Sequence, residues 1–213
     1  MGSIKKPRKK YSPPSHPWQR LRIGEERPLT KEYGLQTKKE IWKARYILKT
    51  FKNSAKKLIA STTKQGGLEN KQLIDRLKKY GMATDETKPA EILNLTLNDI
   101  MNRRLQTVVF RNNLARTIKQ ARQFIIHGHI FVDGRKITVP SYMVLKGEEN
   151  KVMFDTASSL ASTTHPERAT VEMKEEDVKR KAEAKKKKEE KKQGRLKNNR
   201  TMRRPRNEKR TTN

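Results

Sequence analysis

The chain has 213 residues, with 52 Lys and Arg against 23 Asp and Glu, a formal net charge of +29 and no cysteine. Charge so far from zero opposes compaction by self-repulsion and points to an anionic partner, nucleic acid first among them. The cysteine count excludes a disulfide scaffold, a Cys-type zinc centre, an iron–sulfur cluster and a thiol nucleophile. No apolar run approaches the roughly 18 residues of a membrane span, and none follows the N-terminal basic residues as a secretory leader requires. A soluble, cytoplasmic protein is the expectation.

Leu, Ile, Val and Phe total 42, and 39 of them lie in the first 160 residues. From Ala161 onward only Val171, Val178 and Leu196 belong to this set. The first part can build one modest core. The remainder cannot offset its ordering entropy by burial and is expected to order only on a partner. The organisation expected is an extended basic arm over residues 1–27, a helical region over 28–99, a helix-and-hairpin module over 100–157, and a disordered Lys/Arg-rich tail over 158–213.

In the arm, Lys5, Lys6, Arg8, Lys9 and Lys10 precede Pro13, Pro14 and Pro17, which remove backbone donors and hold the chain extended. Tyr11 and Trp18 stand among the charges, suiting contact with phosphate together with stacking on bases. The alternative is that Trp18 tucks against the core. Thr37-Lys38-Lys39-Glu40 then reads as a capping box opening a long helix, with Ile41, Ala44, Leu48, Phe51, Ala55 and Leu58 on one apolar stripe. Lysines and arginines surround that stripe. Gly66-Gly67 breaks the pattern, and a second helix runs from about Leu68 to Tyr80 with Gly81 as its left-handed stop.

Thr96 and Asp99 make another capping box, and one helix carrying Met101, Leu105, Val108 and Val109 is predicted to run on to Asn112-Asn113, where asparagine can take the left-handed cap. Thr117-Ile118-Lys119-Gln120 opens a short helix with Ile118, Ala121 and Ile125 on one side and Lys119, Gln123 and His127 as a polar stripe roughly opposite. Gly128 closes it. Asp133-Gly134 lies between apolar-alternating runs, the signature of a hairpin with a type I′ turn, and a last strand is expected near Lys151 to Phe154. Between Ile100 and Val132 there are six arginines and lysines and no acidic residue.

Catalysis finds little support. His127-Gly128-His129 has the spacing of a metal pair, but no Cys, Asp or Glu nearby completes a ligand set. The two imidazoles either donate to phosphate or sugar beside a close backbone approach, or simply solvate the helix end. No Walker-type phosphate loop and no Gly-x-Ser-x-Gly elbow is present. RNA binding does have a mechanism: arginine forks match phosphate bidentately, glutamines position without adding charge, and the helix start at Arg116-Thr117 offers free amides. A two-helix surface suits the shape of folded RNA. From composition alone DNA stays open, as does a helix-turn-helix relative.

The stretches Arg103-Arg104-Leu105-Gln106-Thr107-Val108-Val109-Phe110, Leu114-Ala115-Arg116-Thr117, Gln120-Ala121-Arg122-Gln123, His127-Gly128-His129-Ile130 and Pro140-Ser141-Tyr142 closely resemble the alpha-L RNA-binding domain. The version they resemble is that of the small-subunit ribosomal protein four family. Lys5-Lys6-Pro7-Arg8-Lys9-Lys10-Tyr11, His16-Pro17-Trp18 and Glu40-Ile41-Trp42-Lys43-Ala44 look like its archaeal branch. Asn113 stands where that family commonly has glycine.

The resemblance implies an α+β fold: a helical N-terminal region packed with an alpha-L module of two short helices, a β-hairpin and an extra strand, plus disordered basic termini. It implies a structural role in the small ribosomal subunit: direct binding of its ribosomal RNA, nucleation of the subunit body, and a contribution to fidelity near the path by which mRNA enters. Partners implied are that RNA, neighbouring small-subunit proteins and mRNA, with no membrane. The implied RNA contacts are Arg103, Arg104, Gln106, Arg111, Arg116, Thr117, Lys119, Gln120, Arg122, Gln123, His127, His129 and Lys136 in the module, with Lys9, Lys10 and Trp18 in the arm. No metal, cofactor or catalytic residue is expected. Enzymes that carry the module need a separate catalytic domain, which the helical, lysine-rich remainder does not supply. The other alternative is a free RNA chaperone or heat-shock-type RNA binder using the same module.

Overall fold

Apolar residues at helical spacing set the architecture, and the computed structural model, which describes residues 9–84, 86–162 and 165–168, has seven α-helices and a small sheet among them. Helix α1 spans Arg20–Glu32, α2 Lys38–Ile59, α3 Lys64–Lys79, α4 Pro89–Ile92, α5 Leu97–Asn102, α6 Leu105–Arg111 and α7 Ile118–Ile126. Strands β1 (Ile130–Val132), β2 (Arg135–Lys136) and β3 (Val152–Phe154) form an antiparallel sheet in the order β2-β1-β3. The α+β class and the extra strand are as expected.

The stripe on α2 is buried at Ile41, Ala44, Phe51 and Ala55. Its first half packs with Tyr33, Leu35, Ile100 and Met101, and its second half with Leu73, Leu77 and Ile92. A third cluster, including Leu105, Val109, Ala121, Ile125, Ile130, Val144 and Phe154, is the core of the module. The hairpin turn has φ of 51° at Asp133 and 75° at Gly134, the two positive values a type I′ turn demands. Asn113 (φ 61°), Gly81 (φ 65°) and Gly128 (φ 75°) all take the left-handed positions assigned to them.

Five features differ from the sequence reading, each for a tertiary reason. Residues 20–27 of the arm are helical, because α1 is held by contacts with α2 instead of by an apolar stripe. Its one buried residue is Glu26, which accepts from Trp42 Nε1 at 3.3 Å. Helix α3 begins at Lys64, and Gly66 and Gly67 lie inside its first turn; Thr63 Oγ1 accepts from Gly66 N, and a Cβ on Gly66 would fall 2.1 Å from Ser61 Oγ.

The helix expected from Thr96 to Arg111 is broken at Arg103-Arg104. There Val144 N donates to Arg103 O (2.9 Å), Leu105 N donates to Tyr142 O (2.8 Å), and Arg104 bridges Met143 in extended conformation. The returning chain thus takes the backbone groups a continuous helix would have used. The box at Thr37–Glu40 does not form: Thr37 makes no side-chain cap, and Glu40 turns elsewhere. Finally, packing continues into the expected tail, with Leu160 buried in the module core and Arg168 set over the Phe154 ring at 5.4 Å. The rest of that tail, residues 169–213, and residues 1–8 of the arm lie outside the described residues.

Candidate nucleic-acid interface

Helices α6 and α7 pack on each other through the module core, so each presents one outer face, and the implied contact residues divide between the inside and the outside of this pair. Arg104 and Gln106 go inside. Arg104 is 5% exposed and donates from Nη2 to Glu40 Oε2 at 2.5 Å. Arg122 Nη1 also reaches Glu40, at 3.2 Å, so one carboxylate on α2 gathers two guanidinium groups from α6 and α7. Burial raises the cost of the Glu40 charge, yet the hydrogen bond from Arg122 and the charges of Arg104 and Arg122 outweigh it and hold the carboxyl below its usual range.

Gln106 is fully buried and donates to Ile118 O (2.9 Å) and Gly34 O (3.3 Å). Gly34 has φ of 56°, and a Cβ there would fall 2.6 Å from Ile118 Cγ2, which lets the 33–35 loop press directly onto the start of α7. These three side chains, expected on the RNA face, therefore lock the helical region to the module. The Gln106 amide donors are met by protein carbonyls, whereas Arg104 Nε and Arg122 Nε are buried without a hydrogen-bond partner, and a phosphate could not reach Arg104 or Gln106 without opening the core.

Arg103 is half-buried, ion-paired with Glu149 and directed at Gly81 O. Burial, then the neighbouring Arg111 charge, lowers its pKa, though a guanidinium stays cationic throughout the physiological range. Arg111 is exposed and donates to Asn102 Oδ1 at 2.7 Å. Gln120 completes only part of the expected box. Thr117 Oγ1 accepts from Gln120 N (3.2 Å), but Gln120 Oε1 accepts from Arg116 N (2.8 Å) and Gln120 Nε2 donates to Glu167.

The outside set lies along α7. Lys119, Gln123 and His127 are exposed at i, i+4 and i+8, a line of about 12 Å at helical rise. Thr117 and the half-buried Arg116 stand at its start. At its far end a Cβ on Gly128 would fall 2.3 Å from Lys136 Cε, so the absent side chain is what allows Lys136 of β2 to lie across the helix terminus. His127 and His129 have ring centroids 6.2 Å apart, and His129 is fixed by Ser158 Oγ at 2.9 Å from its Nδ1. A helix start, a polar stripe and a lysine from the hairpin are thus brought onto one side of the module. No carboxylate among the described residues pairs with Lys119 or Lys136.

The arm residues precede α1 in the chain. Lys9 and Lys10 are exposed, and Trp18 is 89% exposed just before α1, so it does not tuck against the core. Sequence reading missed Glu40 as an organiser. The only signal available was one glutamate in an otherwise basic first turn, and the capping box accounted for it already.

Among known proteins, the S4 domain family matches residues 103–150, which hold the α6–α7 pair and the hairpin. The chain is 43% identical to the "Small ribosomal subunit protein uS4" of Methanococcus maripaludis over 176 residues, 82% of this chain and 99% of that one. It is 48% identical to the protein of the same name from Methanococcus aeolicus over 169 residues (79% and 96%), and 45% identical to that of Methanococcus vannielii over 176 residues (82% and 99%).

Proposed function

The chain belongs to the uS4 family of small ribosomal subunit proteins, and from that premise we propose that it binds small-subunit ribosomal RNA directly through the outer face of α7 and the hairpin end. The observation that carries this reading is the line Lys119–Gln123–His127, flanked by Arg116-Thr117 and Lys136 and uncompensated by acid within the matched domain. Arg111 extends the set from α6, while Lys9, Lys10 and Trp18 give the arm its own means of gripping RNA. Arg104, Gln106 and Arg122 act indirectly by setting the angle of the module against α2. Arg103, Gln120 and His129 sit between the two groups, each tied to the protein and half-buried.

The role is structural. By holding a folded RNA surface early, the protein nucleates assembly of the subunit body, contacts neighbouring small-subunit proteins, and stands near the incoming mRNA, where it contributes to fidelity. The test is a filter-binding titration of a small-subunit ribosomal RNA transcript with the wild type and with Arg116→Ala and Lys119→Ala, paired with sedimentation of the tagged protein with small subunits at moderate salt. Weakened binding by both variants and stoichiometric co-sedimentation are expected. Wild-type affinity in both would remove the α7 assignment, and absence from the subunit would favour a free RNA chaperone.

A further inference from the structure

Helix α2 carries a cationic face that the module does not use. The arm runs back against it, with the Tyr11 and Trp42 rings 6.2 Å apart and tilted by 32°. Between arm and helix lies a cavity of about 210 Å³, walled by Pro14 on one side and by Trp42, Arg45, Tyr46 and Lys49 on the other, with Arg22 of α1 reaching it. A trough of about 410 Å³ adjoins it, sharing Tyr46 and Lys49 and continuing to Asn53 and Lys57. Arg45, Lys49, Asn53 and Lys57 follow at i+4, one per helical turn, so the trough presents a row of polar and cationic groups about 6 Å apart.

The pocket is built before any ligand arrives. Trp42 Nε1 donates to Glu26 Oε1 at 3.3 Å, which fixes the indole edge. Glu26 itself is fully buried and balanced by Arg22 (3.7 Å) and Lys38 (3.8 Å), so its charge does not face the cavity. Arg22 Nη2 donates to the carbonyls of Pro17 (2.7 Å) and His16 (3.0 Å), which pins the arm in place as the opposite wall. Arg22 Nε and Nη1 and Glu26 Oε2 are buried without a hydrogen-bond partner, so this ion pair behind the pocket is held by charge alone. Tyr46 is 42% exposed, its ring available at the rim. The described lining of cavity and trough contains no carboxylate.

We infer that this cavity and trough bind a short single-stranded segment of RNA, one unstacked base resting against the Trp42 and Tyr46 rings and the following phosphates running along Arg45, Lys49 and Lys57. Aromatic faces interleaved with cations are how single strands are held without sequence readout. A duplex has no unstacked base to give, and an acidic peptide would leave the rings unused. The site goes beyond the reading of the α7 surface, since it lies on another element and takes RNA in another conformation.

The test uses the full chain and a hexaadenylate probe with 2-aminopurine at one internal position, a fluorophore that is quenched when it stacks. The wild type is expected to quench the probe saturably. Tyr46→Ala should weaken binding about tenfold and relieve much of the quenching, while Tyr46→Phe, which keeps the ring, should restore both. The double variant Arg45→Ala/Lys49→Ala should flatten the log–log salt dependence by about 1.4, at roughly 0.7 per single-strand phosphate contact. Thermal melting of each variant checks that the fold is kept, which the exposure of Tyr46 favours. Wild-type affinity and quenching in both the Tyr46→Ala and the double variants would overturn the inference. So would displacement of the probe by hexaglutamate at equal concentration, which would make the groove a site for acidic polypeptide.

Discussion

Arg104, Gln106 and Arg122 on one side of the α6–α7 pair, and Arg116, Lys119 and Gln123 on the other, are nearly the same chemistry in two environments. The first set is drawn in by a single carboxylate from α2 and by two backbone carbonyls, its two guanidinium groups sharing that one carboxylate within the protein. The second set faces solvent with little to match it. A cationic side chain in a basic protein is therefore not by itself a nucleic-acid contact. What separates the two is whether a protein acceptor reaches it first.

The largest effect should come from removing that acceptor. Glu40→Ala leaves two guanidinium groups facing one another, one of them 5% exposed, and should cost about 3 kcal/mol of stability in urea unfolding. A loss under about 1 kcal/mol would mean the pair is worth no more than an exposed one and would erase the contrast. Arg104→Ala should likewise lower stability, yet leave RNA affinity per folded molecule unchanged; weaker binding there would return Arg104 to the RNA face.

On the outer side the effects reverse. Arg116→Ala should weaken binding to the ribosomal RNA transcript by about 1–3 kcal/mol where its contact is bidentate, and Lys119→Ala should reduce the salt slope by about 1, both with unfolding curves superposed on the wild type. Acid offers a gentler test of the inner side. A carboxyl whose folded pKa lies below its ordinary value of 4.5 contributes stability that is complete above that value and is lost as pH falls through the lower folded value. Stability should therefore decline more steeply below about pH 4.5 in the wild type than in Glu40→Gln, measured by chemical unfolding across that range. Smallest is Asp99→Ala, which removes the 2.7 Å bond to Thr96 N at the start of α5 and should cost about 1 kcal/mol without touching RNA affinity.

Where chain direction is decided by one or two residues, the sequence was readable. Asp133-Gly134, Asn113, Gly81 and Gly128 each require or tolerate positive φ, and each has it. The stripe of α2 and the Thr96–Asp99 cap are equally local. Unreadable were the parts settled by a distant partner. Helix α1 exists because Glu26 meets Trp42 and Lys38, and the break at Arg103-Arg104 exists because residues 142–144 arrive to take its backbone bonds. The candidate interface followed the same division: the exposed line on α7 follows from periodicity, while the withdrawal of Arg104 and Arg122 depends on a glutamate more than sixty residues away in the chain, and that of Gln106 on the carbonyls of Gly34 and Ile118.

Sequence by itself determined the cationic character of the protein, its helix stripes, its hairpin and the polar outer line of α7, because charge count, 3.6-residue periodicity and turn chemistry act over a few neighbouring residues. Tertiary structure alone decided which cations stay available, how the arm and α2 enclose a pocket, and where one predicted helix becomes two. The physical reason is that burial and pairing depend on which groups meet in space, and a carboxylate or carbonyl brought from far along the chain can satisfy a guanidinium before any phosphate does.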